Sequence, residues 1–185
     1  MQNQASELPV PVEVDHDTGQ WRVDGLPMVL VPQHLLVNNL DAVEQRLGRD
    51  ESAELFRDAG RRSAWHWCAH ESARLGLSGA AIVRHYLDRL SRRGWGRFEI
   101  DALDPSRGEL SVRVRHSALL PVDGSDRSVD RACYLFEAWF EGALQYTSGR
   151  SGTVPVRETR CGVNADECLF TSDGPGRCHD NQRRP

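Results

Sequence analysis

The chain carries no paired Cys-x-x-Cys, no glycine-rich phosphate loop, no dinucleotide fingerprint and no Gly-x-Ser-x-Gly elbow. These absences remove the common nucleotide-dependent and serine-hydrolase chemistries. No nucleophile stands in an obvious pairing with a base, so catalysis by the chain alone is not expected. No run of residues is long and apolar enough to span a bilayer, and Met1 to Glu7 lacks the basic start and apolar stretch of a secretory signal. A cytoplasmic protein without a membrane partner is the expectation. Excess positive charge is also missing: 23 basic against 27 acidic residues leave a formal charge of -4, so no general pull toward nucleic acid exists. No internal repeat is present.

What remains is one domain's worth of chain, 185 residues, with five cysteines: Cys68, Cys133, Cys161, Cys168 and Cys178. In a reducing compartment an odd number of thiols suits metal ligation or burial better than disulfides.

Val10, Val12 and Val14 alternate, a turn follows at residues 15–19, and Trp21 and Val23 resume the alternation, which predicts an N-terminal hairpin. Gly25 and Pro27 punctuate it, and Met28 to Val31 reads as an extended edge segment. Helical spacing predicts a first helix over Leu35–Leu47, stopped by Gly48. A longer second helix starts near Asp50, with Phe56, Ala59, Gly60, Ser63, Ala64, Trp67 and Cys68 facing inward. Ile82 to Leu90 forms a third helix, ending at Gly94. Its Arg84, Arg89, Arg92 and Arg93 read as a solvated face.

A β-hairpin follows. Phe98, Ile100 and Ala102 share one face, as do Leu110, Val112 and Val114. His116 falls in phase with that face and is expected to point inward, toward backbone or a ligand, if the strand runs that far. After a polar loop over 121–130, Ala132 to Leu144 gives the cleanest helical stripe, with Cys133 in its first turn, where the helix dipole favours thiolate. Val154, Val156 and Glu158 share one face of a strand, so the carboxylate points inward with two core residues and requires an answering metal or arginine. Cys161 lies in a turn, and a last strand over Glu167–Phe170 returns Cys168 beside it.

Three thiols and one carboxylate suffice for a closed tetrahedral zinc site, structural rather than catalytic. Buried thiols without a metal are the alternative. His66 and His70, one helical turn apart, lack a third ligand and read as surface or second-layer residues; Cys178-His179 stands in a polar tail.

Ala59-Gly-Arg61, Gly94-Trp-Gly-Arg-Phe98, Glu141-Gly142 and Glu158-x-x-Cys161 before Cys168-Leu-Phe170 occur in an order that resembles the 4-vinyl reductase domain family, over roughly Leu35 to Phe170. The resemblance implies a small-molecule-binding module with an apolar cavity between helices and sheet, and zinc held by Cys133, Glu158, Cys161 and Cys168. In sensors of that family the signal passes through dimer contacts to an attached ATPase and DNA-binding region; no such region lies within these residues, so output is expected through a separate partner, catalysis or delivery of the bound molecule.

The expected architecture is therefore α/β of the α+β type, a mixed or antiparallel sheet packed against several helices, zinc-stapled near its C-terminal end. Residues 1–33 are expected to form an N-terminal arm, 34–171 the ligand-binding domain and 172–185 a flexible tail. Inward pattern and aromatic content name Trp67, Trp95, His116, Tyr134 and Trp139 as contacts for a small apolar or aromatic ligand. A homodimer or a partner subunit is expected. An accessory subunit of a larger oxidoreductase, such as one in methylated-amine catabolism, is the alternative function, and reduction of a tetrapyrrole vinyl group ranks below it.

Overall fold

The computed structural model describes residues 9–120, 133–149, 152–161 and 167–172. The expected loop over 121–130 and the tail with Cys178 and His179 lie outside the described residues.

Three short antiparallel strands open the chain, β1 (Glu13–Val14), β2 (Trp21–Val23) and β3 (Leu26–Met28), in the order β1-β2-β3. Asp24 and Gly25, both at positive φ (55° and 75°), make the tight link between β2 and β3. Pro27 therefore lies inside a strand rather than ending one, and Val29, Leu30 and Val31 follow it as exposed chain. Helices α1 (Gln33–Leu47), α2 (Arg49–Leu75) and α3 (Ala80–Arg92) come next. Gly48 separates the first two at φ 83°, a conformation that side chains with a Cβ rarely adopt.

Strands β4 (Arg97–Asp104), β5 (Glu109–Arg115), β6 (Val156–Arg160) and β7 (Cys168–Ser172) form a fully antiparallel sheet in the order β4-β5-β7-β6, with α4 (Tyr134–Ser148) inserted between β5 and β6. The α+β architecture agrees with the sequence expectation. One detail differs. A bulge between Ile100 and Ala102 shifts the β4 register, so Leu103 pairs with Leu110 and Leu103, rather than Ala102, packs against the core.

The core lies between this sheet and the helices. Leu110, Val112 and Val114 of β5 are almost fully buried, as are Phe136, Phe140 and Leu144 of α4 and Phe170 of β7. Each such side chain contributes about 1.5–3 kcal/mol by leaving water. α4 is buried over more of its surface than a one-sided stripe predicts, because α2 packs on the side away from the sheet and covers Ala138 and Gly142 as well.

Glycine sets that helix pair. A Cβ on Gly60 of α2 would lie 2.7 Å from the Ala138 Cβ; one on Gly142 of α4 would collide with the Arg61 carbonyl oxygen and lie 2.9 Å from the Arg61 Cα. The backbones thus approach closer than any side chain permits. Ionic contacts flank the crossing. Glu137 and Glu141, both fully buried on α4, pair with Arg57 and Arg61 of α2 at 3.4 Å each, and with Arg157 of β6 at 3.6 Å.

Gly142→Ala is expected to lower stability in urea unfolding by about 1–3 kcal/mol or more, the cost of overpacking against backbone that cannot move aside. Gly152→Ala, where an added Cβ meets nothing within 4 Å, is expected to change little.

Candidate metal centre and aromatic site

Glu158 projects from β6 on the same face as Val156, because residues two apart on a strand share a side. Cys133 occupies the N-cap position of α4, and Cys168 begins β7 opposite Val114. These three are buried, and one ligand atom from each lies within 4.8 Å of the other two. The Cys133 and Cys168 sulfurs are 3.6 Å apart. Two thiolates on one tetrahedral zinc, each about 2.3 Å from it, stand roughly 3.8 Å from each other, so the spacing fits with a small adjustment.

The Cys133 backbone N–H donates to Glu158 Oε2 at 3.0 Å, while Oε1 is buried without a hydrogen-bond partner among the described residues. Burial pushes the Glu158 carboxyl up to about 7. Hydrogen bonding with Cys133 and burial push the Cys168 thiol well above its ordinary value. Groups that resist ionisation together are those a divalent cation stabilises together, by supplying the opposing charge. Cys161 is half-buried at the end of β6, and its thiol bears on the ionisation of both Glu158 and Cys168. It stands outside the group of three whose ligand atoms all lie within 4.8 Å of one another. An orphaned carboxylate oxygen amid sulfur donors fits a metal better than a dry apolar core.

The five ligand candidates do not form one wall. Trp95 and Trp139 meet edge to face at 4.7 Å, and Trp139 continues to Phe136 at 5.4 Å. From Phe136 the rings run on to Phe98 at 5.2 Å and Phe170 at 6.1 Å, a continuous aromatic path between α4 and the sheet. Phe170 pairs in register with Glu158, so the path ends at the metal-type cluster. Tyr134 is buried beside Phe56 of α2, with ring centroids 6.3 Å apart.

Trp67 lies elsewhere. It packs on His85 and Tyr86 of α3 beneath the Arg93 guanidinium, 5.1 Å from the ring centre. His116 corrects the sequence expectation: β5 stops at Arg115, the backbone turns to φ 53°, and the side chain is exposed instead of inward.

Two charged clusters stand outside the sequence-based expectations. Glu137 and Glu141 accept hydrogen bonds from the Glu158 and Val156 backbone N–H groups at 2.8 and 3.2 Å, in addition to their arginine contacts. The i, i+4 spacing of Arg57 with Arg61 and of Glu137 with Glu141 was the available signal. Near the arm, the Asp24 carboxylate is buried among Arg74, Arg89 and Arg93, and the Asp24 carbonyl oxygen lies 2.9 Å from His70 Nε2. Arg89 and Arg93 are thus docking residues and not a solvated face. Beside them, burial would raise the Glu71 carboxyl, yet bonds from Arg74 and His85 hold it below the ordinary range.

Glu158→Gln is expected to act with opposite signs in the two forms of the protein. Without metal, Glu158 is protonated in the folded chain up to about pH 7 but only to about 4.5 when unfolded, so stability falls as pH rises between these values. Above pH 7 the neutral amide is expected to raise the stability of metal-free protein by on the order of 3 kcal/mol, and to lower metal retention. Thermal unfolding at pH 8, with and without chelator, reads both.

Comparison with known proteins bears on the fold more than the chemistry. A family model described as "Domain of unknown function (DUF5943)" matches residues 6–101, which stop short of the Cys133, Glu158 and Cys168 cluster. No curated protein matches. Among solved structures, the phenol-responsive sensory domain of the transcription activator PoxR, solved with phenol, is similar with a TM-score of 0.70 at 14% identity, over 87% of this chain and 84% of that one. A trafficking protein particle complex subunit 3 from Naegleria fowleri, covalently bound to palmitic acid, is similar at 0.51 and 11% identity, over 76% of this chain and 93% of that one.

Proposed function

This chain belongs to the DUF5943 family, and we propose that it is a small-molecule-binding sensory module with a structural zinc site. The observation that carries the reading is the meeting of Cys133, Glu158 and Cys168 at one end of an aromatic path, in a fold shared with a phenol-responsive sensory domain. The kinship with the 4-vinyl reductase domain family belongs to the same proposal.

Cys133, Glu158, Cys161 and Cys168 would hold the ion. Held by these residues, zinc would supply no redox chemistry and would serve structure, because its ligands come from the start of α4, from β6 and the residue after it, and from β7. The ligand is a small aromatic molecule, and the half-buried pair Trp95 and Trp139 are its contacts. Gly94 and Gly96, at φ 84° and 143°, flank Trp95 and let the chain turn it toward α4. Trp67 and Tyr134, packed elsewhere, and His116, exposed, lie outside this contact set.

A homodimer is part of the proposal. Val14, Trp21 and Met28 are cross-strand neighbours on one face of the small sheet, with Val14 and Trp21 exposed, and Val29 and Leu30 beside them are more than four-fifths exposed. A second copy is the proposed cover for this apolar surface.

Native mass spectrometry of protein purified without added metal is expected to show one zinc per chain and a two-chain mass. Cys161→Ser is expected to lose that zinc and to unfold at lower temperature, whereas unchanged metal content removes Cys161 from the site. Trp139→Ala is expected to weaken phenol binding about tenfold or more in calorimetric titration. Undiminished affinity would place the ligand away from the Trp95 and Trp139 pair.

A further inference from the structure

We propose that an open cleft beside α2 is a second binding site, built for a flat organic anion such as an aromatic carboxylate. The cleft has a volume of about 640 Å³ and is walled by Arg61, Arg62, Trp65 and His66 of α2 with Gln145 of α4 and Thr153, which precedes β6. That size lies in the range of small-molecule sites, roughly 300–1,000 Å³. None of the aromatic path from Trp95 to Phe170 lines it, so it is separate from the site proposed above.

Charge gives the first argument. Among the described residues, the other α2 arginines each pair with a carboxylate: Arg49 with Glu44, Arg57 with Glu137, Arg61 with Asp58 and Glu141, and Arg74 with Glu71. Arg62 has no such partner there. Asp58, also in the lining, makes its ion pair with Arg61 rather than with Arg62. A guanidinium with no carboxylate partner among the described residues, set in a concave site, favours an anion, and its planar fork suits the two oxygens of a carboxylate.

Shape gives the second. Trp65 is 46% exposed, a large apolar ring left in the cleft rather than in the core. Tyr146 of α4 braces it edge-on at 5.6 Å, which fixes the ring and leaves area for a flat body to stack. Gln145 and Thr153 on the facing wall offer hydrogen bonds to substituents. Arg61 links the cleft to the rest of the molecule: it also contacts Glu141, which accepts a bond from the Val156 N–H of β6. An occupant that draws on Arg61 would bear on the strand that carries Glu158.

The test is calorimetric titration of the full chain with 2-naphthoate, and with neutral 2-naphthalenemethanol as a control. Wild-type protein is expected to bind naphthoate saturably and more tightly than the alcohol. Arg62→Gln and Trp65→Ala, both at exposed positions, are each expected to weaken naphthoate binding about tenfold, while phenol binding stays unchanged. Absence of naphthoate binding by the wild type, or equal affinity in all three proteins, overturns the proposal. Trp139→Ala is expected to leave naphthoate affinity unchanged, so failure at the interior site and failure at this one read separately.

Discussion

Two buried glutamates hold this fold together. Glu137 and Glu141 lie one turn apart on α4 and face two ways at once, accepting backbone N–H groups from β6 and meeting the guanidinium groups of Arg57, Arg61 and Arg157. β6 is an edge strand, and alternate N–H groups along its outer side would otherwise lack partners. The carboxylates supply the missing acceptors where another strand would stand. Burying their charge is tolerable only because cations and donors surround them. Burial still raises the Glu141 carboxyl, which shows how closely the opposing effects balance.

The metal-type centre depends on this arrangement. Glu158 reaches the Cys133 N–H because its own backbone is tied to Glu137, so the strand that carries the carboxylate and the helix that begins with the thiol are held in register. Close approach of α2 and α4 at Gly60 and Gly142 then brings the arginines near enough to answer the glutamates. The chain contains no lysine, and arginine is the residue whose fixed fork serves two acceptors at once. Arg157 bridges Glu137 and Glu141 through one nitrogen, its Nη1, which lies 3.6 Å from an oxygen of each. A second polar cluster, around Asp24, performs an analogous task for the N-terminal sheet by seating one turn among three arginines.

Much of this was legible in residue order. Helix bounds followed from 3.6-residue periodicity and from Gly48, and the β5 face from strict alternation of Leu110, Val112 and Val114. The inward direction of Glu158 followed from its phase with Val156, both of which are buried. Other features were not legible. The bulge in β4 moves Leu103 into the place expected of Ala102, because one extra residue reverses the pleat and no sequence rule marks where that occurs. The direction of His116 was not legible for a related reason: the strand ends one residue before it, and alternation has no meaning beyond a strand's end. Glu137 and Glu141 stand outside the apolar stripe of α4, and their burial was not legible because the covering of that side by α2 is a property of the pair of helices.

By itself the sequence determined which residues can form helices and strands, which faces are apolar, and that three thiols and a carboxylate lie where strand and helix ends occur. Those are local properties, set by periodicity, glycine conformational freedom and side-chain chemistry. Only the tertiary structure decided that Cys133, Glu158 and Cys168 share one buried point, that Trp95 meets Trp139 while Trp67 lies apart, and that Arg62 lines an open cleft with no carboxylate partner among the described residues. Such meetings depend on distances between segments far apart along the chain, and packing of whole elements fixes those distances.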